Sequence, residues 1–254
     1  MKSSPSTRPA AWPFWAWSCA VLAGVAAPAL AMLLLDAPGP APLALLSGPI
    51  LAVGLMGMGM IAAAAAGRLW IGMGLALLTG AGLIVFARAL GLPPLAHPLS
   101  AGLAVVIASI SFAARGALFA RSALDKGWLI AVAVVAGEAA MLFTAAAVPG
   151  VLPKWLLVLL PAQWASTAIQ TALTGTGTIA ASSALFALAG TAAATLLVAW
   201  LWPRRWPYLI MFTAWLGLSA LVWHRPAPPL PRADRAIVAA PAGPIAPVAA
   251  TLPV

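Results

Sequence analysis

Residues 43–66 read LALLSGPILAVGLMGMGMIAAAAA, with no charged side chain among them. At 1.5 Å per residue, a helix of that length extends about 36 Å, enough to cross a hydrocarbon core of about 30 Å. Seven further apolar runs have comparable length. The eight predicted helices are Phe14–Leu35, Leu43–Ala66, Leu69–Leu90, Leu99–Ala120, Trp128–Val148, Trp155–Thr174, Thr178–Trp202 and Pro207–Trp223. Gly, Pro and charged residues punctuate the gaps between them, as in DAPGPAP (36–42), GLPPLAHP (91–98) and PGVLPK (149–154). Connections this short make sequential helices antiparallel neighbours.

Composition agrees with that reading. The chain has 254 residues, 64% hydrophobic and only 7% charged, whereas an ordinary soluble domain carries about 25% charged residues. Too few charges remain to clothe a soluble surface, so the expected fold is all-α, a polytopic transmembrane helical bundle over residues 14–223 with membrane lipid as its main partner. Residues 1–13 form a short cytoplasmic N-terminus, and the Pro/Ala-rich residues 224–254 read as a disordered tail. The count falls to seven helices if 155–174, which contains Pro161, is re-entrant. Lys2, Arg8 and an ALA triplet at Ala29–Ala31 raise the alternative of a cleaved signal peptide. The apolar run continues to Leu35, so an uncleaved anchor is the preferred reading.

The net charge of +9 comes from single or paired cations at the ends of apolar runs. Such placement marks topology and contact with anionic lipid, and no basic stripe interleaved with aromatics points to nucleic acid. With eight spans and a cytoplasmic N-terminus, nine Lys and Arg fall inside, and Arg88, Lys154, Arg204 and Arg205 fall outside. Ten of the tryptophans lie near predicted helix ends, the interfacial position; Trp164 and Trp215 do not. Abundant alanine and an excess of arginine over lysine are the coding bias of a GC-rich bacterial genome, hence an expected inner-membrane location. Cys19 is the sole cysteine, which excludes an intrachain disulfide.

Two constellations carry the chemistry. Glu138 stands alone in the fifth run, where a carboxylate must be paired, protonated or facing water. A turn centred near Leu124 would place it opposite Ile110, making the hydroxyls of Ser109 and Ser111 its expected partners, with the carboxyl protonated and donating. Arg115 would lie nearer the cytoplasm and snorkel there. The second constellation is PAQWASTAIQTALTGTGT (161–178), in which Gln163, Ser166, Thr167, Gln170, Thr171 and Thr174 share one helical face. A turn at Gly175–Gly177 would bring Ser182 and Ser183 level with Gln170. Both constellations read either as a transport path or as hydrogen bonds that tie helices together. The methionines of GLMGMGM (54–60) read as packing rather than a copper site, and the glycines from Gly54 to Gly82 as close contact between the second and third helices.

No second acid accompanies Glu138, no histidine pair has ligand spacing, and no P-loop or nucleophile elbow occurs. An enzyme with its own metal or cofactor is therefore not expected. PAQWASTAIQ, the glycine turn and the long helix ending near WPRR loosely resemble the end of an ABC-2-type permease, over less than a quarter of the chain. No residue role carries over from that resemblance. The expected function is a multi-pass, permease-like component moving a small or amphipathic substrate. The alternative is a non-catalytic structural or assembly subunit, in contact with further copies or other membrane subunits.

Overall fold

The computed structural model describes residues 11–36, 40–95, 97–174, 181–201 and 206–225. Among them there is no strand. The helices are α1 (Ala11–Val21), α2 (Ala27–Asp36), α3 (Pro40–Ala66), α4 (Leu69–Ala89), α5 (Pro98–Ala123), α6 (Gly127–Ala147), α7 (Lys154–Val158), α8 (Pro161–Thr174), α9 (Ser182–Trp200) and α10 (Pro207–His224). A π-helical turn, Leu22–Ala26, joins α1 to α2. Arg204, Arg205, the turn at Gly175–Gly177 and the tail from residue 226 onward lie outside the described residues.

α3, the helix of the opening stretch, is the hub. Of its most apolar window 83% is buried, the highest share of any candidate span. It packs against α1, α2, α4, α5, α6 and α8. Small residues make this possible, because an α-helix surrounded on all sides needs its neighbours' backbones close. A Cβ on Gly116 of α5 would lie 2.1 Å from the Met60 carbonyl oxygen, and one on Gly72 of α4 would lie 2.5 Å from that of Gly59. The expected contact between the second and third helices is found at Gly54, Gly59, Gly72 and Gly80. Gly57 instead meets Ala23 of the first helix, and Gly74 and Gly82 meet nothing. Met56, Met58 and Met60 are buried in the core.

The outer surface is apolar. Leu78, Val85, Phe186 and Leu209 are all more than two-thirds exposed, which only a hydrocarbon solvent tolerates at this density. Trp70, Trp155, Trp200, Trp206 and Trp223 stand exposed at or near helix ends, whereas Trp164 is buried. The described residues are all-helical, and their long apolar helices fit a membrane location.

Six helical stretches are long and apolar enough to span: Phe14–Leu35, Leu43–Ala66, Leu69–Ala89, Pro98–Ala147, Ser182–Trp200 and Pro207–His224. Eight separate spans are not confirmed. The fourth stretch breaks at Leu124, whose φ of 51° leaves the helical region, and a short 3-10 turn, Leu124–Lys126, follows. Side chains 23 residues apart, Arg115 and Glu138, then share one cavity, so α5 and α6 fold back on each other near the expected turn. The predicted helix 155–174 is the element that fails. It is cut at Leu159–Leu160, and α8, with 14 residues, extends about 21 Å, short of a hydrocarbon core of about 30 Å.

Candidate functional site at the broken helix

Pro161 explains the cut. It has no N–H to donate, and its ring clashes with the carbonyl of the preceding turn. Interrupting a helix within the bilayer strands backbone polar groups, which cost several kcal/mol each unless satisfied. Three side chains answer them here. The Trp164 indole Nε1 donates to the Val158 carbonyl at 2.8 Å, and Trp215 Nε1 of α10 donates to the Leu159 carbonyl at 3.2 Å. On the other side of the cut, the backbone N–H of Ala162 donates to Glu138 Oε2 at 2.9 Å.

Glu138 therefore caps the first turn of α8, where the partial positive charge of the helix dipole favours a carboxylate. The structure does not give it the predicted serine partners. Ser109 Oγ is buried with no partner among the described residues, and Ser111 accepts instead from Arg115. Arg115 also departs from expectation. Side chains on a helix lean toward its N-terminus, which carries the guanidinium away from the Leu124 turn and back to the level of Ser111. Its Nη2 lies 3.5 Å from both Ser111 Oγ and Thr191 Oγ1, and the group sits 5.7 Å from the centroid of the Phe112 ring.

Arg115 and Glu138 both line a cavity of about 520 Å³. They form no ion pair within 4 Å among the described residues. Thr191 and Thr195 of α9 and Trp215 supply the remaining polar atoms of a wall that is otherwise aliphatic and aromatic. Phe212, more than half exposed, stands at its edge. The site thus joins the break in α7–α8 to α5, α6, α9 and α10.

The polar face of α8 divides into different roles. Gln170 reaches into α3: its Oε1 accepts from Gly48 N at 2.7 Å and from Ser47 Oγ at 3.2 Å, and its Nε2 donates to the Ala44 carbonyl at 2.7 Å. Gln163, Ser166 and Thr167 line a smaller cavity of about 270 Å³, which Gln170 also borders, against α3 and α6. The Thr167 hydroxyl donates to the Gln163 carbonyl within its own helix. Thr174 ends α8, and its side chain lies outside the described residues. Ser182 and Ser183 do not join this lining. Ser182 is exposed at the start of α9, and Ser183 donates to the Arg225 carbonyl at 2.8 Å.

Sequence reading missed Arg115, Thr191 and the amide of Ala162 as site members. The signals that could have found the break were present: Pro161, and the two tryptophans away from helix ends. Among the described residues no three His, Cys, Asp or Glu side chains converge as a metal site. Compared with protein-family models, curated proteins and solved structures, the chain matches none.

Proposed function

We propose that this chain is a permease-like membrane component whose path for a small amphipathic substrate runs through the cavity between Arg115 and Glu138. The observation that carries the reading is the discontinuous helix whose first free amide, Ala162 N–H, meets a buried carboxylate in the wall of that cavity. Interrupted helices at membrane depth are tolerated only where protein buries them or a cavity needs their ends, and transporters place substrate sites at such ends. The distribution of Lys and Arg, nine against four with eight crossings and eight against five if residues 155–174 do not cross, supports a cytoplasmic N-terminus, and the Ala- and Arg-rich composition supports a bacterial inner membrane.

The test is translocation in proteoliposomes. Fluorescent single-chain lipids with anionic, zwitterionic or cationic headgroups are placed in both leaflets, and the outer leaflet is bleached with dithionite. The protein should speed loss of the protected fraction for at least one headgroup, and filling the cavity by Thr195→Phe should abolish the gain. Rates equal to those of empty liposomes across the series overturn the reading.

One observation favours the alternative of a structural or assembly subunit: Gln170 uses its amide to hold α8 on α3, so part of the polar face is packing. Under that alternative, gentle purification and native mass spectrometry recover a stoichiometric membrane partner, and Thr195→Phe has no effect on translocation.

A further inference from the structure

The geometry points to an anionic single-chain amphiphile, drawn from the surrounding bilayer, as the ligand of this cavity, with its headgroup on Arg115 and its tail along the apolar wall. The inference rests on the functional reading of the same cavity and names the substrate class.

The argument is a comparison of the two charges in the wall. Glu138 has a strong partner in the Ala162 amide and faces the positive end of α8, so its charge is already answered by the protein. Arg115 has five N–H donors in a planar fork. Among the described residues it reaches only two hydroxyls, both at 3.5 Å, the outer limit of a hydrogen bond, and the face of Phe112. Among the described residues no carboxylate closes on it. The unspent charge of the cavity is therefore positive, and the group that best matches a guanidinium fork is a carboxylate or phosphate.

The remainder of the cavity selects a tail. Beyond the charged and hydroxyl groups its wall is built from side chains such as Leu118, Val134, Leu160 and Met211. Its 520 Å³ lies within the range of about 300–1,000 Å³ typical of small-molecule sites. A headgroup alone would leave this apolar space empty, and a neutral hydrocarbon would leave the guanidinium unanswered. Phe212, more than half exposed, brings the cavity to the outer surface of α10, where α10 meets α7.

The experiment is equilibrium binding of radiolabelled dodecyl phosphate to the full chain in nanodiscs. Unlabelled dodecyl phosphate, dodecanol, dodecyltrimethylammonium and inorganic phosphate serve as competitors. One saturable site per chain is expected, with dodecanol, the cationic amphiphile and inorganic phosphate each at least about tenfold weaker, the scale of one charge-assisted hydrogen-bonded contact. Arg115→Gln should weaken binding by about tenfold, and Arg115→Lys, which keeps the charge but loses the fork, by less. Equal competition by dodecanol, or tighter binding of the cationic amphiphile, overturns the inference on the unmodified protein alone, whether or not the variants fold. Equal competition by inorganic phosphate overturns the role of the tail. Selective binding without translocation would sink the permease reading and leave this inference standing; translocation with no headgroup preference would do the reverse.

Discussion

The side-chain amide of Gln170 spans one backbone pair of α3: Oε1 accepts from Gly48 N and Nε2 donates to the carbonyl of Ala44, four residues earlier. A glutamine thus docks on the helical hydrogen-bond ladder itself. It does so immediately before the in-helix Pro49, which has no N–H to give to the ladder. Gly48 is required by the same contact: a Cβ there would lie 2.6 Å from Gln170 Oε1 and 2.7 Å from the Ser166 carbonyl oxygen.

Gln170→Leu should therefore act on stability before it acts on transport. It leaves the buried groups of Ala44, Ser47 and Gly48 with one partner fewer, at a cost of about 1–3 kcal/mol. Gln163→Leu, which leaves those three hydrogen bonds in place, should cost less than about 1 kcal/mol. Thermal unfolding in detergent, followed by circular dichroism, separates the two. Equal melting temperatures for both variants would show that the Gln170 contact carries no stability.

Close approach at the hub makes a second contrast. Gly116→Ala would drive a methyl group against the Met60 carbonyl oxygen and Ala63, and two backbones must part to admit it, at about 1–3 kcal/mol. Gly74→Ala and Gly82→Ala meet nothing within 4 Å, so each should leave stability unchanged or raise it by up to about 1 kcal/mol through helix propensity. The same melting experiment reads all three. Loss of stability in Gly74→Ala would mean that the exposed face of α4 is covered in the assembled protein.

The broken helix should loosen when its carbonyls lose their donors. Trp215→Phe keeps an aromatic ring, though a smaller one, and frees the Leu159 carbonyl; Trp164→Phe does the same for Val158. Each removes a hydrogen bond worth about 0.5–1.5 kcal/mol. The expected outcome is faster amide hydrogen exchange at Leu159 and Leu160, with α3 unaffected. Unchanged exchange there would mean that the carbonyls find other partners.

The helical character, the glycine contacts between the second and third helices and the turn at Leu124 were legible in the sequence because they depend on hydropathy, residue size and local punctuation; that α3 is the hub was not. Pro161 and the tryptophans away from helix ends, Trp164 and Trp215, marked the break, but which carbonyls they serve depends on how α8 and α10 pack. Counting residues from the hairpin turn set Glu138 level with Ser109 and Ser111 and failed for a directional reason. Helical side chains lean toward the N-terminus, so Arg115 rises into the cavity, while the partner of Glu138 is a backbone amide, a group that no composition or spacing reveals. The expected grouping of Ser182 with Gln170 is not found: Ser182 is exposed, and Ser183 donates to the Arg225 carbonyl.

The bond between Glu138 and Ala162 ties α6 to the start of α8, and it gives the last contrast. Glu138→Gln keeps an acceptor oxygen for the Ala162 amide, whereas Glu138→Leu strands a buried N–H at the first turn of a helix, at a cost of about 1–3 kcal/mol. If this carboxyl is chiefly an anchor for the broken helix, Glu138→Gln should melt close to the unmodified protein and Glu138→Leu well below it. Translocation should then follow stability. If instead the negative charge itself serves the path, Glu138→Gln should keep its melting temperature and lose translocation. Two variants and two readouts on one preparation decide between anchor and participant.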